Sequence, residues 1–164
     1  FQPRSFNLGL SKIAFEKTRG FSKMKNGEDI DLTFRLWESG FDTQLLEKAF
    51  VYHKRRSSLQ QFFKQTYGFG TARPVLNKKY SKTKKLTYWF PSLFIIGFDI
   101  SILAALFDYP QALFVFLLYL LFIFLDAFIQ SKNLKVAVLS IVASYTQFAG
   151  YGLGYLKAQF LSKK

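Results

Sequence analysis

The sequence contains no cysteine. That absence excludes a disulfide framework, a thiolate metal site and a cysteine nucleophile. Histidine is nearly absent as well: His53 stands alone, and a lone histidine more often serves structure than ligation. Acidic residues are scarce, ten against 23 lysines and arginines, which leaves a net charge of +13. No basic, apolar, small-residue signal peptide opens the chain. Its first residues, Phe1-Gln2-Pro3-Arg4-Ser5, read as the interior of something longer, so the chain is expected to be a fragment. No internal repeat is visible.

What is abundant is apolar and aromatic. Half of the 164 residues are hydrophobic, with 21 Phe and 9 Tyr, more aromatic than an ordinary soluble domain. Charge and apolarity are also segregated. Most charged residues precede position 86 and most long apolar runs follow it. A positive charge of this size suits nucleic acid, anionic lipid or a phosphorylated substrate. No basic helix or aromatic–basic RNA-binding signature appears. Apolar runs beside a basic stretch select membrane lipid, and no nucleic-acid partner is expected.

Three parts follow. Residues 1–56 read as mixed α/β: a short helix over 12–19 ended by Gly20, a loop over 22–27, a helix over 29–39 stopped by Gly40, and a strand over 49–53. On the second helix Ile30, Phe34 and Trp37 fall on one stripe. Residues 57–87 hold a helix whose Leu59, Phe62, Phe63 and Thr66 keep helical spacing, followed by a basic linker. That helix suits either the lipid interface or a core face. Lys78, Lys79, Lys82, Lys84 and Lys85 in the linker mark a cytoplasmic side and attract anionic headgroups.

Residues 88–164 carry three apolar runs, about 88–107, 112–129 and 136–156. Each approaches the ~20 residues that span a bilayer as a helix. The linker and the Ser131-Lys132-Asn133-Leu134-Lys135 loop are basic, and the Asp108-Tyr109-Pro110-Gln111 loop is not. Three spans with both basic segments inside would leave the C-terminus outside, where Lys157, Lys163 and Lys164 fit the rule badly; either the third run is re-entrant or interfacial, or the rule is weak at the last span. Gly150 and Gly154 make a GxxxG spacing that permits close helix pairing, including an oligomer. Asp126 lies near a span end within reach of Lys132. Asp99 lies deeper and has no evident role.

The sharpest local signal is Gly27-Glu28-Asp29-Ile30-Asp31-Leu32, continuing to Arg35 and Gly40. Acids are favoured in any helix's first turn by the dipole and by capping. They also suit a general base on a rigid helix start, with neighbours that tune it. Asp31 can cap the helix or pair with Arg35 four residues on.

This run resembles the acid motif of family 2 glycosyltransferases with the GT-A fold, in particular bacterial membrane-bound, exopolysaccharide-type members. Asn7, Phe15, Gly20 and Phe21 resemble the stretch that leads into that motif, with Arg19 where a first glycine is common. Val51 and His53 resemble the Val-x-His strand after it. Ser58, Leu59, Phe62, Gln65, Tyr67, Gly68 and Gly70 resemble the juxtamembrane segment. Tyr151, Gly152 and Gly154 resemble the closing helix. The resemblance spans nearly the whole chain.

It implies the C-terminal part of a Rossmann-like α/β catalytic domain, then an interfacial helix and about three transmembrane helices. It implies inverting transfer from a nucleotide-activated sugar to a lipid-linked or polysaccharide acceptor at the cytoplasmic face of the inner membrane. Asp29 would be the base and Glu28 would orient the site. Asp31, Lys64, Gln65, Tyr67 and Arg73 would bind acceptor or diphosphate; no Arg-Trp ending of the cellulose-synthase-like type is present. His53 would help hold a divalent metal, Mg or Mn, although the aspartate pair that usually accompanies it is missing. No glycine-rich turn after a strand precedes Gly27. The donor-binding half is therefore expected to be lacking and the chain inactive alone. The rival from another class is a non-enzymatic membrane protein whose small basic domain binds lipid or a partner.

Overall fold

The computed structural model describes residues 1–54 and 56–161. Lys163 and Lys164 lie outside the described residues. The elements are a 3-10 turn Ser5–Asn7, then helices α1 (Lys12–Thr18), α2 (Glu28–Glu38) and α3 (Leu59–Lys79). The 3-10 turns Ser81–Thr83 and Leu86–Trp89 follow. Helices α4 (Phe90–Ala105), α5 (Gln111–Ser131) and α6 (Leu134–Leu156) come next, and a π-helical turn Lys157–Leu161 ends the described chain.

The expected α/β character is overturned. Among the described residues every regular element is helical and there is no strand or sheet. Residues 49–53, expected as a strand, run as irregular backbone. A strand needs a neighbour to take its N–H and C=O groups. Here the Asn7 amide donates to the Ala49 carbonyl at 3.0 Å, and the Ala49 N–H bonds back to Leu46. The basic linker is also shorter than its composition suggests, because α3 stays helical through Lys79.

The chain divides into two units, residues 1–55 with 72–84, and residues 56–71 with 85–164. In the first, Ser11 caps α1 by accepting from the Ala14 N–H, and Arg19 and Gly20 end it with positive φ. Helix α2 is apolar on two sides. Leu32 and Leu36 pack with Ala14, and Leu8, Leu10 and Phe41 surround them. Phe34 packs with Leu76 and Tyr80 from the end of α3, beside Met24 and Ile30. Trp37, expected on the same stripe, remains 39 % exposed, with its ring 5.6 Å from Phe34 and its indole N–H donated to Thr43.

The second unit holds three helices long and apolar enough to cross a membrane, Leu86–Ala105, Gln111–Ser131 and Leu134–Leu161. None of the residues of α5 is buried within the chain, as expected for a helix facing lipid. The start of α3 packs on the end of α6 through glycines. A side chain at Gly150 would collide with Thr66, one at Gly154 with the Tyr67 carbonyl, and one at Gly70 with the Tyr151 carbonyl. The GxxxG face is thus used for close approach inside the chain, where only a glycine lets the backbones meet. Pro74, which lacks an N–H for the residue 70 carbonyl, sits in α3 just past the division between the units.

Candidate functional site

The acid motif builds the first turn of α2. Gly27 is the residue before the helix and has φ +81°, a conformation that side chains other than glycine rarely take. A Cβ there would also press on Leu76 at 3.1 Å and Ala72 at 3.2 Å. Glycine therefore lets the end of α3 close over the start of α2. The acids Glu28, Asp29 and Asp31 all follow within that turn, where the helix dipole favours negative charge.

The structure treats the two aspartates differently. Asp31 is fully buried. Its Oδ1 accepts from Lys79 Nζ at 2.6 Å and from the Tyr80 hydroxyl at 2.8 Å; its Oδ2 accepts from Arg35 Nε at 3.0 Å. The other two arms of Arg35 donate to the Thr18 and Gly20 carbonyls, so the network also ties down the end of α1. Burial pushes the Asp31 carboxyl up, but the hydrogen bonds from Lys79, Tyr80 and Arg35 outweigh it and hold the group below the ordinary carboxylate value. The bond to Asp31 raises Lys79, against its partial desolvation. Burial raises Tyr80, and the Asp31 carboxylate beside it adds to the effect. Ser22 Oγ is buried near the carboxylate, yet no partner stands in good hydrogen-bond geometry to it.

Asp29 is held more loosely. Its Oδ1 accepts from the Ile30 N–H at 2.8 Å, and its Oδ2 lies 3.9 Å from Arg4, itself largely exposed. Its side chain is 13 % exposed, and its backbone carbonyl accepts from Thr33. Asp29 is thus a carboxylate that reaches the surface in part, with one oxygen 3.9 Å from the Arg4 guanidinium. Glu28 beside it is half-buried.

His53 is exposed and lies on the Phe6 ring, with centroids 4.4 Å apart. Phe6 belongs to the 3-10 turn that Arg4 precedes, so the stretch Arg4 to Phe6 reaches both Asp29 and His53. Among the described residues no group of three His, Asp or Glu side chains converges to hold a metal.

The other sequence-derived site residues divide between the units. Arg73 belongs to the first unit; Lys64, Gln65 and Tyr67 belong to the second. Lys64 is exposed and Gln65 half-buried. The Tyr67 ring stacks on Phe63 and lies 5.9 Å from Lys157 Nζ. Asp31, expected to bind acceptor or diphosphate, instead has both oxygens engaged inside the protein. Its i,i+4 pair with Arg35 is formed as the spacing allowed. Sequence reasoning missed Lys79 and Tyr80. Lys79 looked like one of several linker lysines, and no short-range pattern connects it to an acid 48 residues earlier.

The chain matches no protein-family profile, no curated protein and no solved structure.

Proposed function

We propose that this chain is the acid–base and membrane-anchoring part of an inverting glycosyltransferase. The observation that carries the reading is the contrast at the start of α2. Asp31 is buried and neutralised by three donors, whereas Asp29, two residues earlier, keeps an oxygen near the surface on a turn those donors hold in place. A general base needs this combination of fixed position and available lone pair. The resemblance of Gly27-Glu28-Asp29-Ile30-Asp31 to a glycosyltransferase acid motif, and the three apolar helices that follow, agree with it.

In this reading Asp29 accepts the proton of an acceptor hydroxyl. The oxygen then attacks the anomeric carbon of a nucleotide-activated sugar from the side opposite the diphosphate. The sugar–phosphate C–O bond breaks, its electron pair leaves on the diphosphate, and the configuration inverts. Glu28 orients the acceptor. The acceptor is a lipid-linked or growing glycan at the cytoplasmic face of a cell's inner membrane, the side on which Lys84 and Lys85 precede the first apolar helix. The donor site is contributed by residues outside these 164.

The test uses the full-length protein encoded by the reading frame that holds this chain, reconstituted in liposomes with UDP- and GDP-sugars. Nucleotide release that is lost in Asp29→Asn, with the fold retained, supports the reading. Release unchanged in Asp29→Asn removes Asp29 from the chemistry. No release from a folded protein with any donor favours a lipid- or partner-binding module, for which the exposed Lys82, Lys84 and Lys85 are the supporting feature.

A further inference from the structure

Three apolar helices joined end to end ordinarily cross a bilayer up, down and up. The first residues of α4 would then lie level with the last residues of α5 and the first of α6. The contacts in the second unit have another order. Phe94, near the start of α4, packs against Phe116 at 5.3 Å and Tyr119 at 5.4 Å, both in the first half of α5. It also packs against Phe148 at 4.7 Å, in the last half of α6. Trp89, just before α4, lies 5.0 Å from Tyr155 and 6.1 Å from Phe160 at the far end of α6. Ser92 donates to the Gly152 carbonyl at 3.1 Å. The start of α4 and the end of α6 therefore meet at one level, beside the first half of α5.

We propose that the chain crosses the membrane twice. Helices α5 and α6 form the crossing hairpin, and α4 enters one leaflet and returns to the face from which it came. The C-terminal end of α6 is then on the same face as Lys84 and Lys85.

Length agrees. The 16 residues of α4 make about 24 Å of helix, short of the ~30 Å hydrocarbon core. Only with the preceding turn Leu86–Trp89 does that segment reach spanning length. The 21 residues of α5 and 23 of α6 make about 32 and 34 Å and cross without help. The arrangement also explains two polar features. Asp99 is exposed on α4. Deep in a bilayer such a carboxylate would need a partner, whereas a helix lodged in one leaflet keeps it nearer the headgroups. Lys157, which fitted poorly outside, joins the basic face. Lys132 and Lys135 move to the opposite side, against the charge rule, but that rule is a bias, and here packing decides.

The test is single-cysteine labelling of the full chain in sealed vesicles of one orientation, using a membrane-impermeant maleimide; no native cysteine among these residues interferes. Lys82→Cys, Tyr109→Cys, Lys135→Cys and Leu161→Cys all fall at exposed positions. The expected result is that Lys82→Cys and Leu161→Cys react from one side and Lys135→Cys only from the other. Tyr109→Cys does not react from the Lys135 side until detergent is added. The proposal is overturned if Leu161→Cys reacts from the side opposite Lys82→Cys, if Lys135→Cys shares the side of Lys82→Cys, or if Tyr109→Cys reacts from the Lys135 side. A reporter active on only one side, fused after Lys164, repeats the C-terminal measurement without a substitution in the helices.

Discussion

The Tyr80 hydroxyl donates to Asp31 Oδ1 at 2.8 Å, joining residues 49 positions apart in sequence. With Lys79 on the same oxygen and Arg35 on the other, this contact fastens the first turn of α2 to the end of α3. The consequences of that arrangement can be measured.

Replacing Asp31 by Ala removes the shared partner of Lys79 and Arg35. Lys79 is 48 % exposed and Arg35 keeps its bonds to the Thr18 and Gly20 carbonyls, so the loss is that of charged hydrogen bonds, about 1.5–3 kcal/mol, rather than of a fully buried ion pair. Tyr80→Phe removes one neutral donor while the two cations stay, a loss of about 0.5–1.5 kcal/mol. Thermal unfolding of the detergent-solubilised protein should rank the variants in that order. Equal melting temperatures would show that the network carries no stability.

The same network sets a pH window. Asp31 titrates lower in the fold than in the unfolded chain, so its contribution is present above the ordinary carboxylate value, about pH 4. It is lost as pH falls through the lowered folded value. Lys79 titrates higher in the fold, so its contribution is present below the ordinary lysine value and lost as pH rises through the raised one. Melting temperature should be flat at neutral pH and fall at both extremes, and Asp31→Asn should flatten the acid limb.

Asp29→Asn should separate activity from stability. Asp29 has one long ion pair and lies partly exposed, so its melting temperature should change little. Loss of a general base lowers turnover by about 10²–10⁴-fold. A variant that both unfolds and loses turnover would make Asp29 a structural residue.

Glycine substitutions divide by environment. Gly27→Ala meets a positive φ together with Leu76 and Ala72, and should destabilise by more than about 1 kcal/mol. Gly154→Ala drives into the Tyr67 carbonyl, an overpacking expected to cost about 1–3 kcal/mol. Gly9→Ala has open space around it and should stay within about 0.5 kcal/mol of the parent. Similar losses at all three positions would contradict the packing described.

Much of the architecture was legible locally. The apolar runs near 88–107, 112–129 and 136–156 correspond to α4, α5 and α6 with small shifts at their ends. The helix expected over 29–39 starts one residue earlier, because Gly27 and the acids after it mark a helix entry. The strand over 49–53 does not form: Phe50, Val51 and Tyr52 have strand-forming composition, but composition supplies no neighbouring strand. At the site, the Asp31–Arg35 pair followed from i,i+4 spacing. Its other two partners did not, because neither is a sequence neighbour.

By itself the sequence determined where helices begin, which segments are apolar enough for lipid, and that the acids gather at one helix start. These are properties of short windows, in which backbone preference and side-chain periodicity are set by nearby residues. Only the tertiary structure decided that Asp31 and not Asp29 is buried, and that the Gly150 and Gly154 face is occupied by α3. It also placed the end of α6 beside the start of α4. Two aspartates two positions apart have the same intrinsic chemistry; what separates them is that Lys79 and Tyr80 reach one of them from the far end of α3.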